Sequence, residues 1–412
     1  MNKYIISIAV VAVSWSVFSS CSDDDENKGE TPVVRYVRSC DEAKSDSLLS
    51  SAYLGAKIAL IGENLGGVTQ IYFNDKRAKL NPSFVTENAI ILNVPSDIPG
   101  LKEDVIRLHA GDRICEYTFE TKVPEPSVKS MTCEYVQAGD MAHIQGMYFV
   151  NDEGTPLKVM FSGDVEGEIV ASDLTNISVK VPEGAEEGPI RVVSVYGTGE
   201  SSLHFRDGRN LILDFDTLFP DGGYHHGWHK GYGYGTENGV RGQYLIFHGE
   251  MEDDKWDDSN FGYERWTYRK DDPDFFDAGN PDKYVLKFEV NVPDVWSSSA
   301  FQFIFTGADE VWMNWQEEST GGNPNNAYAA SKEYPRALWM PWSATGSYST
   351  DGWITVTIPM TEFCYNADGE TVAVKGAGHY SGLSLLVNGT GGVTGTPCTP
   401  TFYIDNVRVV EK

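Results

Sequence analysis

GAKIALIGENLGGVTQIYFND, Gly55–Asp75, is the stretch of sequence that predicts the fold of the first half of the chain. Short, mostly apolar segments, KIALIG and IYF, stand at its two ends, which is typical of strands bounded by turn residues. Between these ends, Asn64 and the Gly66–Gly67 pair supply the tolerant backbone that a turn requires. A strand, a turn and a second strand are therefore expected here.

A later stretch, GDMAHIQGMYFVNDEGTPLKVMFSG (Gly139–Gly163), repeats this pattern. In each copy two glycines stand seven residues apart, and each copy is followed by a strand-like segment ending in Val-Pro, at Pro95 and at Pro182. The second copy carries a longer insertion, which we interpret as a larger loop. Repeated short alternating strands separated by Gly, Asn, Asp and Pro predict two small antiparallel sandwiches.

The repeated pattern resembles the IPT/TIG family of immunoglobulin-like domains. The resemblance rests on the glycine-framed strand, the strand that ends in Phe, and the strand that ends in Val-Pro. It covers about residues 32–122 and 123–206. Domains of this family usually serve as spacers, so the resemblance implies that role here; a ligand site in one of the two domains is the alternative.

The segments after about residue 207 are longer and more aromatic, and this change predicts a third domain at 207–412. In YVLKFEVNV (Tyr284–Val292) apolar residues alternate with Lys287, Glu289 and Asn291, which predicts one buried face and one wetter face. Eight or more segments of this kind predict a two-sheet jelly-roll sandwich. The expected fold class is therefore all-β, with two immunoglobulin-like sandwiches followed by a larger one.

The charge of the chain limits its ligands. Its 412 residues include 32 lysines and arginines against 60 aspartates and glutamates, a net charge of −28. A nucleic-acid-binding protein requires a basic surface, and the sequence contains no basic cluster that would form one. Anionic polysaccharides are disfavoured for the same reason. Neutral ligands fit this composition best.

The first thirty residues contain an export signal. Tyr4–Phe18 is apolar but short for a membrane span, so residues 1–20 are predicted to be a signal peptide. The small residues before Cys21 resemble a bacterial lipobox, which implies that Cys21 is lipidated; an ordinary signal peptide with an incidental cysteine is the alternative. Ser22–Glu26, SDDDE, resembles the surface-export signal of Bacteroidetes lipoproteins, and residues 21–31 are expected to form an acidic tether.

Five further cysteines are widely spaced and contain no CxxC motif, so a zinc site is not expected. Disulfides between Cys40 and Cys115 and between Cys364 and Cys398 are compatible with an exported protein, and the sequence does not decide whether they form.

Three aspartates, Asp214, Asp216 and Asp405, are similar to the structural calcium site of many jelly-roll carbohydrate-binding modules. Their carboxylate oxygens are ligands that calcium prefers. A structural calcium ion therefore stays an open alternative, and no other metal or cofactor is predicted.

Tryptophan is confined to the third domain once the signal is set aside. Apart from Trp15, all nine tryptophans fall between Trp228 and Trp353. If EVWMNWQ is a strand, Trp312, Asn314 and Gln316 share one face. An indole offers a broad apolar surface to the C–H face of a sugar ring, and amides satisfy the hydroxyl groups around it.

A second aromatic segment, RALWMPW (Arg336–Trp342), is expected to lie on a neighbouring strand. Leu338 and Met340 suit the core, which would turn Trp339 outward beside Trp312. The predicted glycan-binding residues are Trp312, Trp339, Trp342, Trp296, Asn314, Gln316 and Arg336. The alternative is that these tryptophans fill the core of the sandwich, which is the role predicted for Trp315 and Trp353.

Two other functions compete with glycan binding. Glu250 and Glu252 in HGEMEDD are superficially similar to the paired acids of jelly-roll glucanases, and a glycosidase requires two carboxylates that flank the bond. Their spacing does not match the motif of those enzymes, so an enzyme is not predicted. The third possibility is an adhesin or a structural protein of the cell surface.

Taken together, the lipobox, the acidic tag, the tandem IPT-like domains and the tryptophan-rich sandwich resemble the surface glycan-binding proteins of Bacteroidetes polysaccharide-utilisation loci. The resemblance implies a non-catalytic lipoprotein at the outer face of the outer membrane. It further implies a TonB-dependent transporter and a SusD-like protein as partners. Xyloglucan and mixed-linkage β-glucan are the ligands it suggests.

Overall fold

The computed structural model describes residues 30–41, 43, 47–217, 232–251, 261–265, 272–306, 336–366, 369–372, 380–388 and 395–412. These ranges contain β-strands and one-turn 3-10 helices and no α-helix, so the all-β prediction is confirmed. Within them, no helix has the length and apolar character needed to cross a membrane. The chain separates into two compact units, Met1–Lys122 and Val123–Lys412.

The described part of the first unit contains ten strands. Strands β1 to β10 lie at Val33–Ser39, Leu48–Leu49, Ser51–Tyr53, Lys57–Glu63, Gln70–Phe73, Lys76–Arg77, Ala89–Asn93, Val105–Ala110, Arg113–Thr118 and Glu120–Lys122. They form two four-stranded sheets, in the orders β2-β1-β4-β7 and β6-β5-β8-β9, while β10 pairs in parallel with β3. Short 3-10 helices lie at Leu65–Gly67 and Pro82–Phe84. Alternate apolar residues of both sheets fill the core, with Leu60 and Phe73 fully buried.

The predicted strand, turn and strand of Gly55–Asp75 are present. They correspond to β4 and β5, and Asn64 between them adopts a left-handed backbone with φ of 58°. Few residues other than glycine and asparagine tolerate this conformation.

The repeated glycines have a structural cause that both domains share. A Cβ atom on Gly62 would lie 1.8 Å from the Val33 carbonyl oxygen, and one on Gly146 would lie 2.0 Å from that of Ser127. In both cases the neighbouring strand shifts its register next to the glycine. The close approach of a bulged strand therefore requires a residue without a side chain at both positions.

The second immunoglobulin-like domain begins the second unit. Strands β11 to β17 lie at Ser127–Met131, Met141–Met147, Lys158–Ser162, Val165–Ser172, Asn176–Lys180, Glu186–Ser194 and Gly197–Phe205. They follow the order β11-β12-β15-β14-β13-β16-β17 and enclose a core that includes Ile144, Phe161 and Phe205.

The C-terminal domain contains the remaining strands. Strands β18 to β27 lie at Leu211–Leu213, Gly233–Gly235, Tyr244–His248, Gly262–Arg265, Tyr284–Asn291, Ala300–Thr306, Arg336–Trp339, Ile354–Pro359, Gly382–Asn388 and Thr401–Glu411. Short 3-10 helices lie at Pro281–Lys283, Pro341–Ala344 and Met360–Glu362. One sheet, which we call the junction sheet, has the order β19-β20-β27-β22-β25 with β18 paired to β27. The other, the far sheet, has the order β21-β26-β23-β24.

The two sheets bury a large aromatic core between them. Phe288 of the junction sheet stacks with Phe301 and Phe303 of the far sheet, at ring-centre distances of 6.3 and 4.7 Å. All three side chains are fully buried. Burial of an aromatic side chain of this size contributes about 1.5–3 kcal/mol to stability, so this layer holds the sandwich together.

A buried ion network joins the second domain to the junction sheet. Glu134 of the second domain forms ion pairs with Lys287 and with Arg408, whose Nη2 lies 2.7 Å from a Glu134 oxygen. Arg408 also pairs with Glu289, at 2.8 Å. Burial alone would lower the pKa of Arg408, but the charges of Glu289 and Glu134 more than offset this effect and raise it. The guanidinium therefore stays charged although it is fully buried.

Hydrogen bonds continue this junction along the backbone. The Thr355 amide donates to the Thr132 carbonyl at 2.8 Å, and the Glu134 amide donates to the Thr355 hydroxyl at 2.7 Å. The Tyr135 hydroxyl donates to the Asp207 carbonyl at 2.7 Å. These contacts explain why residues 123–412 form one compact unit rather than two separate domains.

Strand β22 shows how the junction changes the predicted pattern. Its apolar residues face the sandwich core, as the alternation predicts. The opposite face was expected to be wetter, but Lys287 is only 8% exposed and Glu289 is fully buried. The expectation is wrong at these two residues because the second domain covers them.

All five cysteines that the structure describes carry free thiols, so neither of the two compatible disulfides is formed here. Cys133 is buried at the junction, and burial, aided by the nearby charge of Glu289, raises the pKa of its thiol to about 12. This thiol is therefore protonated and unreactive at neutral pH.

Candidate functional site

Three of the seven residues predicted to bind glycan, Trp312, Asn314 and Gln316, lie outside the described residues. The other four are on or near β24, the edge strand of the far sheet, and their positions can be compared with the prediction.

Trp339 lies on the core side of β24, opposite to the predicted side. Its backbone pairs with Phe301, and its indole makes edge contacts with Phe288 at 5.5 Å and with Phe301 at 6.2 Å. Arg336 and Leu338 therefore point away from the core. The strand-parity interpretation is wrong here because Ala337 and Trp339, not Leu338, complete the core layer. Trp339 remains half-buried at the rim of the sandwich.

Trp296 and Trp342 are core residues. Trp296 is fully buried and Trp342 is 6% exposed. Both indole N–H groups donate to backbone carbonyls, of Ser298 and Ser299 respectively, the latter at 2.9 Å. A stacking platform requires an exposed ring face, which neither side chain offers, so the structure does not favour these two residues as sugar contacts.

Arg336 is part of a polar row across the outer face of the far sheet. Its Nη1 donates to Gln302 Oε1 at 2.8 Å, and Ser384 Oγ donates to Glu264 Oε1 at 3.1 Å. Glu264 pairs with Ser384, and Ser384 and Arg336 both pair with Ile304, so these side chains share one face. Glu264, Ser384, Gln302 and Arg336 constitute this polar row, and all four are at most 4% exposed.

The polar row combines hydrogen-bond donors and acceptors, but its four side chains are buried and do not present these groups to a ligand. An amide and a hydroxyl both donate and accept, a guanidinium donates, and a carboxylate accepts. Hydrogen bonds between these side chains fix their orientation and join neighbouring strands of the far sheet. The row therefore supports the far sheet from within and is not itself a binding surface.

Sequence reasoning identified Arg336 but missed the rest of the row. Gln302 stands in AFQFIFT and Ser384 stands in GLSLLVN, each as a polar residue inside an otherwise apolar strand. A polar residue at a buried strand position is the signal that could have found them, because such a residue is rarely buried without a hydrogen-bond partner.

The aspartates considered for calcium do not form a metal site in the described part of the chain. No group of three or more His, Cys, Asp or Glu side chains there is arranged to hold a metal ion. Asp214 instead accepts hydrogen bonds from the Thr217 amide and hydroxyl at 3.0 and 2.7 Å, and Asp216 accepts one from the Gln243 amide at 2.8 Å. Asp405 is fully buried.

Of the two acids considered for hydrolysis, Glu250 is exposed after β20, and Glu252 lies outside the described residues.

Residues 205–411, half of the chain, match the family described as the surface glycan-binding protein B xyloglucan binding domain. This segment contains the whole C-terminal domain, including the far sheet and its polar row.

Two known proteins are similar over larger or different parts of the chain. The solved structure of surface glycan-binding protein PbSGBP-B from Prevotella bryantii is 29% identical, with a TM-score of 0.79, and the match covers 93% of this chain and 99% of that one. An IPT/TIG domain-containing protein of Bacteroides ovatus is 30% identical over 156 residues, which are 36% of this chain and 31% of that protein. The chain thus matches about a third of the length of that relative.

Proposed function

Because the chain belongs to the family of surface glycan-binding protein B xyloglucan-binding domains, we propose that it binds a neutral polysaccharide of the β-glucan or xyloglucan type without cleaving it. The observation that carries the proposal is that the family match and the tryptophans fall in the same segment of the chain. The segment that matches this family, residues 205–411, is also the segment that holds all nine tryptophans outside the signal. The charge of −28 supports a neutral ligand over an anionic one.

The proposed contacts are residues of the C-terminal domain. Trp312 is the proposed main stacking platform, with Asn314 and Gln316 binding hydroxyl groups. Trp339 contributes the half-buried rim of its indole, and Arg336 supports the site from the sheet through its hydrogen bond to Gln302. Trp296 and Trp342 support the core instead.

The proposed setting is the outer face of the outer membrane. Lipidated Cys21 would anchor the chain, and the acidic segment Ser22–Glu26 would direct its export. A TonB-dependent transporter and a SusD-like protein are the proposed partners that would take up the captured glycan. The resemblance of the N-terminal residues to a lipobox and export tag supports this setting.

Affinity electrophoresis tests the binding. In gels that contain xyloglucan or mixed-linkage β-glucan, the full chain should be retarded, whereas gels with polygalacturonate should leave it unretarded. Trp312→Ala and Trp339→Ala are each expected to weaken retardation, because each removes stacking area worth about 0.5–1.5 kcal/mol. Tyr53→Ala, an equally drastic change at an exposed aromatic residue of the first domain, should bind like wild type.

The same experiment separates binding from hydrolysis. Incubation with either glucan should release no reducing ends. Release that disappears in Glu250→Gln would show an enzyme, and a wild-type chain that no neutral glycan retards would refute the proposed function.

A further inference from the structure

Trp353 differs from the other three tryptophans that the structure describes. Trp296, Trp339 and Trp342 belong to or pack on the sandwich core, whereas Trp353 packs with Cys133, Tyr135 and Val240 in a small cluster at the junction. The prediction that Trp353 belongs to the sandwich core is therefore wrong. Its indole is only half-buried, so part of it is available to a ligand.

Neighbouring groups hold the Trp353 ring in one orientation. Its Nε1–H donates to the Asn238 carbonyl at 2.8 Å. Tyr244 contacts it edge-on at 5.3 Å, and Tyr403 lies at 6.3 Å with a tilt of 37°. A fixed ring loses little entropy when a ligand stacks on it.

Trp353 lines a groove that both domains of the second unit build. The groove encloses about 450 Å³ and is within the size range of small-ligand sites. We call it the junction groove, and the lining residues that matter here are Tyr135, Gln137, Asp140, Met141, Asn238 and Trp353.

The polar groups of the junction groove suit a neutral sugar. Gln137, Asp140 and Asn238 are all exposed, and they supply two amides and a carboxylate beside the indole. Sugar hydroxyls donate to a carboxylate and exchange hydrogen bonds with amides. The lining residues that the structure describes include no lysine or arginine, and the carboxylate of Asp140 disfavours a phosphate or a uronate.

The walls of the groove do not have to move to form it. The buried ion network and the Tyr135–Asp207 hydrogen bond fix the second domain against the junction sheet. The Gln137 side-chain amide also donates to the Val240 carbonyl across the groove. Binding would therefore not require ordering of two separate domains.

We propose that the junction groove is a second sugar-binding site, which stacks one unit of a neutral polysaccharide on Trp353 and binds its hydroxyl groups through Gln137, Asp140 and Asn238. The inference rests on the proposed function, because it assumes that the chain holds such a glycan. A long polysaccharide presents many units, so a second site raises its apparent affinity by multivalency.

Calorimetric titration of the full chain with xyloglucan polysaccharide tests the groove. Trp353→Ala should weaken binding about three- to tenfold, the range that loss of one aromatic contact gives. Asp140→Ala should weaken it about threefold or more, and its melting temperature should not change because the side chain is exposed. Asp112→Ala, an exposed aspartate of the first unit, is the matched control and should bind like wild type.

An NMR signal from the groove keeps the test independent of the site proposed around Trp312 and Trp339. In protein with labelled methionine methyl groups, the Met141 signal, assigned with Met141→Leu, should shift on addition of xyloglucan oligosaccharide even in Trp312→Ala. If Asp140→Ala binds as tightly as wild type and the Met141 signal does not shift, the junction groove is not a sugar-binding site. The proposed function would still stand. A wild-type chain with no affinity for the polysaccharide would remove both.

Discussion

At the residue scale, Asp405 combines complete burial with an acidic side chain. It lies on β27 opposite Glu289, next to Asn406, whose φ of 48° marks the register shift between β22 and β27. Burial raises the pKa of the Asp405 carboxyl to about 9, and the carboxylates of Glu289, Asp216 and Asp214 add to the rise. Asp405 is therefore protonated in the folded protein at neutral pH.

This raised pKa makes stability depend on pH. Between about pH 4 and pH 9 the folded state binds one proton more at Asp405 than the unfolded state does. The contribution of this group to the free energy of unfolding therefore falls as the pH rises through that window. Asp405→Asn removes this titration. At pH 8 we expect the free energy of unfolding of the variant to exceed that of wild type by more than about 1 kcal/mol.

Urea unfolding of both proteins at intervals from pH 5 to pH 9 measures this effect. The stability difference should grow with pH, because the wild type loses stability that the variant keeps. Asp112→Asn, an exposed aspartate, should follow the wild-type profile. Parallel profiles for wild type and Asp405→Asn would show that the carboxyl is ionised in the folded state.

At the element scale, the ion network connects β22 and β27 to the second domain through one side chain, Glu134. Removing one partner of a buried ion pair leaves the remaining charges uncompensated, which costs about 3–5 kcal/mol. Glu134→Ala should therefore destabilise residues 123–412 by about this amount, because Lys287 and Arg408 both lose a partner. Thermal unfolding measured by circular dichroism reports the change.

Glu166→Ala is the matched control for this prediction. It removes a glutamate of the same domain that pairs with Lys158, but both side chains of that pair are about half exposed. An exposed pair contributes less than about 1 kcal/mol, so its loss should barely lower the melting temperature. If the two substitutions lowered the melting temperature equally, the buried ion network would contribute no more to stability than the exposed pair does.

Strand elements also show where sequence reasoning succeeded and where it failed. Alternation identified the core face of β22 because one face of that strand contacts only apolar side chains. It could not show that Lys287 and Glu289 are buried, because their cover comes from Glu134, more than 150 residues earlier in the chain. Such long-range contacts leave no local pattern.

The prediction of which side chains of β24 face the core failed for a different reason. The strand has four residues, too few for alternation to distinguish its two faces, and both Leu338 and Trp339 are apolar. Pairing with β23 places Trp339 on the core side. The glycine repeat was a stronger signal, because Gly62 and Gly146 meet the same backbone obstacle in both domains.

At the scale of the whole molecule, the unit that carries the proposed function is larger than its family segment. The family match begins at residue 205, but the compact unit begins at Val123. The second immunoglobulin-like domain supplies one wall of the junction groove and one carboxylate of the ion network. The proposed groove would make this domain part of the binding unit rather than only a spacer, which the resemblance to spacer domains did not indicate.

The proposed anchor gives a prediction for the chain in the cell. Acyl chains contribute about 0.8 kcal/mol for each buried CH₂ group, so lipidation at Cys21 would hold the chain in the membrane fraction. Cys21→Ala should lose an alkyne-fatty-acid label and leave that fraction. Cys40→Ala, which removes a free thiol of the first unit, should keep both label and location. A Cys21→Ala protein that still carries the label in the membrane fraction would contradict the anchor. Glycan retardation of the unlipidated protein should persist, since the proposed sugar-binding residues lie far from Cys21 in the sequence.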